Sequence, residues 1–473
     1  MLTTKTLLGA GWTVSARLAG RLVDFVTILV LARVLTPADF GLTAIATTLI
    51  SVVDTALEVP VILALISLGR VTKAHMDTAF TLGLLRGLVL TVVVLSAAWP
   101  FSRIYHDERL ISLVAVLAIG PMARSLYSPS MVKYARELSF RQGFTAEVAG
   151  KLIASTIAIS VVFLGGGYWA IAAGSVSGSV ATTLISYLIA GYRPAFSLSR
   201  FSEFSTFLGW FSTAQILAAL SWQYDRILLG YFISKADLGQ YTMASDLSVL
   251  PTQSLIGPAM QPLVAAFARI NDDRERVRSA YLKASSFTMM LAAPTSIGMS
   301  LTSDLIVDVL LGAKWIEAAG YLQWLALSVV LSAFYQPLHS LAIATNRTNL
   351  VFRLTLVELV SRVVLVPAGY YFYSVMGVIA ARVAVSLIMF VLSLLTARHL
   401  IGVRMASVLG NLWKVGAACA AMALSVLLLR YGLAGRGLNT FIELGVTAGF
   451  GVVAYVGVLS ALGVRFKGLR PVG

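Results

Sequence analysis

Charge is scarce in this sequence: of 473 residues only 12% are Asp, Glu, Lys or Arg, and 58% are hydrophobic. A soluble domain carries about 25% charged and about 45–50% apolar residues, so a water-soluble globular fold is excluded. Cysteine is almost absent. The single Cys419 lies in an apolar run, which excludes an intrachain disulfide and a cysteine-based metal site. The four histidines, His75, His106, His339 and His399, are scattered and suggest no metal cluster. There is no Gly-rich phosphate loop ending in Gly-Lys-Ser/Thr, hence no ATP-driven pump in this chain. No long polar insertion exists to house a transferase domain. An enzyme is not expected, and neither is a cofactor.

What the sequence does have is apolar runs, with a mean hydropathy of +0.86. A membrane helix needs roughly 20 apolar residues. Charged or Gly/Pro breaks divide the chain into fourteen candidate helices: 7–35, 40–69, 77–102, 110–131, 144–164, 168–192, 204–232, 237–268, 281–311, 319–345, 350–373, 376–399, 408–430 and 438–463. The fold class expected is an all-α polytopic membrane protein with about fourteen transmembrane helices. The first run continues past Val30 with Arg17, Arg21 and Asp24 inside it, so it reads as a retained helix and not a signal peptide. The formal net charge of +15 sits mainly between the spans, where it sets topology and meets anionic lipid rather than nucleic acid. Alternate loops hold 21 and 7 lysines and arginines, which puts both termini in the cytoplasm.

An internal repeat divides the chain. Leu35-Thr36-Pro37-Ala38-Asp39-Phe40-Gly41 recurs as Ile233-Ser234-Lys235-Ala236-Asp237-Leu238-Gly239. Thr36 or Ser234 serves as N-cap, and Asp39 or Asp237 complements the free N–H groups of the first turn. Pro37 suits the first helical position. Glu147/Lys151 and Glu358/Arg362 form a second matching pair at i,i+4 spacing. Two six-helix lobes in pseudo-twofold arrangement are expected, at 1–200 and 201–403, with two further helices and a cytoplasmic tail at 404–473. Parallel repeats of this kind are a transporter architecture with the substrate path between them.

A charge at the bilayer centre costs roughly 2.5–3.5 kcal/mol on insertion scales, so each needs a partner, water or a role. Arg17, Arg21 and Asp24 form one stripe in the first helix, in which Asp24 neutralises one arginine and leaves a guanidinium for an anion. Arg86, Arg124 and Arg382 are embedded too, either lining a cationic cavity or engaged in internal salt bridges. Asp54 and Glu58 lie on one face of the second helix before Pro60, as proton acceptors or as fixed partners of arginines. Gln215, Trp222, Gln223, Tyr224, Asp225 and Arg226 offer a face for sugar rings, or else mark the membrane edge. The eighth helix carries Asp246, Gln253 and Gln261 among Pro251, Pro258 and Pro262, which permit bending.

The run Leu31-Ala-Arg-Val-Leu-Thr-Pro-Ala-Asp-Phe-Gly41, the opening Gly11-Trp12…Arg17…Arg21 and the segment Asp225-Arg226-Ile-Leu-Leu-Gly230…Ala236-Asp-Leu-Gly-Gln-Tyr241 resemble a known family. Ile270-Asn-Asp-Asp-Arg274 and Leu310-Leu-Gly-Ala-Lys-Trp315 fit as well. The likeness, over roughly residues 5–400, is to Wzx-type flippases, the polysaccharide transport group of the multidrug/oligosaccharidyl-lipid/polysaccharide exporter superfamily. It implies movement of an undecaprenyl-pyrophosphate-linked oligosaccharide across the bacterial inner membrane, for exopolysaccharide or lipopolysaccharide assembly, by ion-dependent alternating access. It further implies polysaccharide polymerase and other assembly-complex membrane proteins as partners, and pyrophosphate contacts from Arg17 and Arg21. Substrate-binding candidates are therefore Arg17, Arg21, Arg86, Arg124, Gln223, Asp225 and Arg382. Ion-coupling candidates are Asp54, Glu58 and Asp246. Competing readings are an ion-coupled multidrug antiporter on the same fold, and a membrane polysaccharide polymerase or ligase.

Overall fold

A computed structural model of the chain describes residues 2–463 except 59–60, 69, 138, 140, 257–262, 265 and 434–436, and no side chains for 2–17, 63, 67, 205–215, 254–255 and 348. Arg17, Pro60, Gln215, Pro258, Gln261, Pro262 and the basic tail after 463 thus lie outside the described residues. In chain order the helices are α1 (Leu2–Val34), α2 (Pro37–Ala56), α3 (Val61–Ser67), α4 (Lys73–Ile104) and α5 (Arg109–Ser125). There follow α6 (Val132–Arg136), α7 (Arg141–Phe163), α8 (Trp169–Ile189), α9 (Phe201–Phe232) and α10 (Lys235–Pro251). Then come α11 (Arg274–Leu301), α12 (Ser303–Leu310), α13 (Ile316–Ala333), α14 (Tyr335–Ala344), α15 (Thr348–Ile401), α16 (Met405–Leu433) and α17 (Thr440–Ala461). No strand occurs among the described residues. A backbone surrounded by lipid must satisfy its hydrogen bonds within each segment, which is why apolar runs become helices.

Among the described residues, helix occurs in each expected segment, with informative breaks. Eight helices among the described residues are long and apolar enough to cross a membrane, or ten if each of two bent pairs is one span. The expected helix 40–69 is two pieces: α2 stops at Ala56, and Leu57 caps it. Glu58 therefore lies beyond the helix, and the expectation that Asp54 and Glu58 share one helical face is corrected. The expected helix 281–311 bends by 76° between α11 and α12. α15 is 54 residues long but breaks at Tyr373–Ser374, where Ser374 has φ of 52°, so the expected boundary between 350–373 and 376–399 falls at a sharp break.

Two compact units emerge, Met1–Gly239 and Gln240–Gly473. In the first, α7 and α8 form a tight hairpin against α1, α4 packs on α5, α5 on α8, and α2 on α9 and α5. Leu31, Leu35, Ala158, Val162 and Ala170 make one buried cluster; Ala64, Leu65, Ala79, Val132 and Phe204 make another. In the second unit α11 packs on α13 and α16, α13 on α15, and α16 on α17. Tyr281, Phe334, Leu338, Val385 and Met389 are buried there together. Large apolar side chains also cover the outside: Val92, Leu188, Leu428 and Val453 are all exposed. In water such a surface would associate; in a bilayer it faces lipid tails.

Both copies of the repeated segment cap a helix as expected. Thr36 Oγ1 accepts from Asp39 N at 3.3 Å, and Asp39 Oδ2 accepts from Thr36 N at 2.9 Å. Ser234 Oγ accepts from Asp237 N at 3.1 Å and donates to Asp237 Oδ2 at 2.8 Å. The two copies also meet. A Cβ on Gly41 would collide with the carbonyl oxygen of Lys235, and a Cβ on Gly239 with that of Pro37. The contact is reciprocal, as a local twofold requires.

Candidate functional site

The helix-to-helix approach that builds the site rests on Gly83 and Gly87, one turn apart on α4. A Cβ at Gly83 would strike the carbonyl of Ser125, and one at Gly87 would crowd Met122 and Ser125 of α5. Small residues at this spacing let helices pack at short range in lipid. The approach sets Arg86 beside Ser125 and Arg124.

Between the two arginines stands Asp54 of α2. Arg86 donates from Nη2 to Asp54 Oδ1 at 2.6 Å, and Arg124 donates from Nη2 to Asp54 Oδ2 at 3.0 Å. Arg86 is further anchored by the carbonyls of Leu57 (2.8 Å) and Asp54 (3.0 Å) and by Ser125 Oγ (3.1 Å). Arg124 also donates to Ser179 Oγ of α8 at 3.1 Å. The side chain of Arg86 is 16% exposed, whereas that of Arg124 is 49% exposed. Arg86 lies about 20 Å from the start of α4 and about 27 Å from its end, at 1.5 Å per residue, so the cluster sits well inside the helix layer. Two guanidinium ions share one carboxylate, leaving one net positive charge. Asp54 is thus partnered by the arginines of α4 and α5.

On α1, Asp24 accepts from Lys151 of α7 at 2.6 Å, while the side chain of Arg17 lies outside the described residues. Lys151 prefers that contact to its i,i+4 neighbour Glu147, which is 3.9 Å away. The counterpart pair Arg362–Glu358 closes at 2.9 Å as the spacing predicts. Arg21 lies on α1, partly buried. On α9, Gln223 Oε1 lies 3.5 Å from Thr48 Oγ1 of α2, and Asp225 is buried at 3% exposure. Trp222 points outward. In the second unit, Arg382 donates from Nη1 to Tyr241 Oη and Ser245 Oγ, both at 3.0 Å, and Asp246 is exposed on α10. Arg86, Arg124 and Asp54 are thus brought together; Arg382 belongs to a separate hydroxyl pair, and Glu58 to the turn after α2.

Two ion clusters at helix ends have no counterpart in the sequence reading. Asp107, in the α4–α5 loop, pairs with Arg109 at 2.8 Å and with Lys235 at 2.5 Å. Burial pushes its carboxyl up, but hydrogen bonds from Arg109 and Lys235 outweigh this and hold it well below the usual carboxylate range. At the start of α4, His75 Nδ1 faces the Thr72 backbone N–H at 3.0 Å and Nε2 faces Glu203 Oε2 at 3.1 Å. An acceptor role at Nδ1 assigns the proton to Nε2, directed at the carboxylate. The Asp107-x-Arg109 spacing was the available signal for the first cluster; nothing local announces the second.

Long apolar helices with charges held between them define a multi-pass, all-α membrane protein. The chain belongs to the family described as polysaccharide biosynthesis protein, whose model matches residues 30–320. It is 23% identical to the lipopolysaccharide biosynthesis protein WzxC of Escherichia coli (strain K12), over 74% of this chain and 72% of that one. It is 25% identical to the succinoglycan biosynthesis transport protein ExoT of Rhizobium meliloti (strain 1021), over 67% of this chain and 65% of that protein. Among solved structures it is similar to the lipid II flippase MurJ in an inward closed conformation, with a TM-score of 0.74 at 15% identity over 96% of this chain and 98% of that one.

Proposed function

We propose that this protein is a flippase that carries an undecaprenyl-pyrophosphate-linked oligosaccharide from the cytoplasmic to the periplasmic leaflet of a bacterial inner membrane. It is a transporter, not an enzyme, with two lobes at 1–200 and 201–403 that alternate access and with both termini in the cytoplasm. The observation that carries the reading is the Asp54–Arg86–Arg124 cluster: a net positive, partly open group deep between apolar helices. Guanidinium forks bind phosphate oxygens in pairs and stay protonated, which suits a pyrophosphate headgroup. Family membership and the names of the relatives support the same substrate class. An organic cation would be repelled by this cluster, which disfavours the antiporter reading. Arg17, Arg21 and Arg382 are further headgroup contacts, and Gln223 and Asp225 sugar contacts. Asp54, Glu58 and Asp246 are the candidates for ion coupling. A polysaccharide polymerase and other assembly proteins are the expected partners.

Cells depleted of the protein test this reading. Lipid-linked oligosaccharide should accumulate on the cytoplasmic leaflet, with no unpolymerised repeat units outside. Repeat units reaching the periplasm unpolymerised would point to a polymerase instead.

A further inference from the structure

The cluster holds a carboxylate where a phosphate would go. Both oxygens of Asp54 are occupied, one by each arginine. The two arginines are not equivalent. Arg86 is largely enclosed, with 16% of its side chain exposed, and keeps three acceptors besides the carboxylate oxygen, so it is fixed whether or not Asp54 is charged. Arg124 is half open and is held by Asp54 and Ser179 alone among the contacts seen. An anion entering the site must therefore take Arg124 from Asp54 and then sit beside that carboxylate.

Resting on the flippase reading, we infer that Asp54 is a specificity-determining residue that admits pyrophosphate headgroups and rejects the monoanionic phosphodiesters of bulk phospholipid. A phosphodiester brings the same single charge that Asp54 already supplies, so the exchange gains no attraction and adds repulsion between two anions. A pyrophosphate brings more charge and more oxygens, enough to engage the Arg124 fork and the residual positive charge while Asp54 stays on Arg86. Anionic phospholipid is abundant in the leaflet from which the substrate is taken. A bare arginine pair would be occupied by it continuously. Discrimination of this kind needs a repulsive element aimed at the wrong ligand, and Asp54 provides one.

The test uses the purified full-length protein in nanodiscs, with geranylgeranyl pyrophosphate and phosphatidylglycerol as probes. Wild-type protein should bind the pyrophosphate equally well as the phosphatidylglycerol content is raised; a proportional loss overturns the inference without any variant. Asp54→Asn should gain phosphatidylglycerol affinity by about tenfold or more, the scale of one charge-assisted hydrogen bond, and become sensitive to the lipid content. Asp54→Ser, whose hydroxyl still accepts from Arg86, is the second neutral variant, and Asp54→Glu should restore the preference. Neutral variants that keep the wild-type preference overturn the role of Asp54. Arg124→Ala separates the two claims: if pyrophosphate binding is lost there but the preference survives in Asp54→Asn, only the inference fails. If pyrophosphate binding is unchanged in Arg124→Ala, the headgroup reading of this site fails.

Discussion

Arg86 and Arg124 share one carboxylate but differ in what their loss would do. Removing Arg86 deletes the hydrogen bonds that tie α4 to the end of α2 and to α5, in a partly buried place. Breaking a fully buried pair costs about 3–5 kcal/mol; with this pair partly exposed and Arg124 left to compensate Asp54, a cost at or below the lower end applies. Arg124 is half open, and exposed pairs contribute about 0–1 kcal/mol. Arg86→Ala should therefore lower the thermal midpoint markedly in detergent, while Arg124→Ala should leave it near wild type yet stop export of polysaccharide. Equal effects on stability would contradict the asymmetry. A second residue-scale expectation concerns Asp107. Its folded pKa is depressed, so the stability it contributes is fully present above the ordinary carboxylate value and is lost only as pH falls toward the lower, folded value. Between pH 5 and 8 the wild type should show no titration from this group. Asp107→Asn should cost about 1.5–3 kcal/mol throughout that range, the scale of hydrogen bonds to charged groups. A pH-dependent difference between the two proteins near neutrality would show that the pairing with Arg109 and Lys235 is not what holds the loop.

Helices meet through glycine where the site and the repeat require close approach. Gly41 and Gly239 pack reciprocally against the first turns of each other's helices. Gly41→Ala and Gly239→Ala should each destabilise the protein by about 1–3 kcal/mol, as overpacking does. The double variant should cost less than the sum, because one separation of the two helix starts relieves both clashes. Full additivity in thermal unfolding would mean that the two contacts are independent. This element scale is also where the sequence was most and least informative. Apolar runs located helices closely, because burial in lipid leaves helix as the way to satisfy the backbone. The capping residues of α2 and α10 were legible because caps are local. The partner of Asp54 was not legible, since it depends on which helices are neighbours, and α2 lies near α4 and α5 through contacts far apart in sequence. The spacing Gly83-Leu84-Leu85-Arg86-Gly87 carried the missing clue, with an arginine placed inside a close-packing motif. The contact of Asp24 with Lys151 was not legible for the same reason: the two are 127 positions apart.

At the scale of the molecule, loop contacts bear on topology. The positive-inside count assigns the loops near residues 70 and 193–200 to one face, and those near 105 and 235 to the other. His75 at the start of α4 faces Glu203 at the start of α9, and Arg136 donates to the carbonyl of Leu68. Asp107 faces Lys235. Each of these contacts joins two loops given to the same face by the count, and none joins opposite faces. Charge bias and side-chain geometry are independent, because the bias uses no contacts and the contacts use no charge count. Reporter fusions after Arg109 and Lys235 should therefore read periplasmic together, and fusions after Arg141 and Arg276 cytoplasmic. A chain with both termini inside needs an even number of spans, and fourteen is the count that the apolar runs predict. If the Arg109 and Lys235 fusions read opposite faces, the ion pair at Asp107 cannot form in the membrane. If all four fusions are inverted together, the contacts stand and only the reading of cytoplasmic charge is wrong.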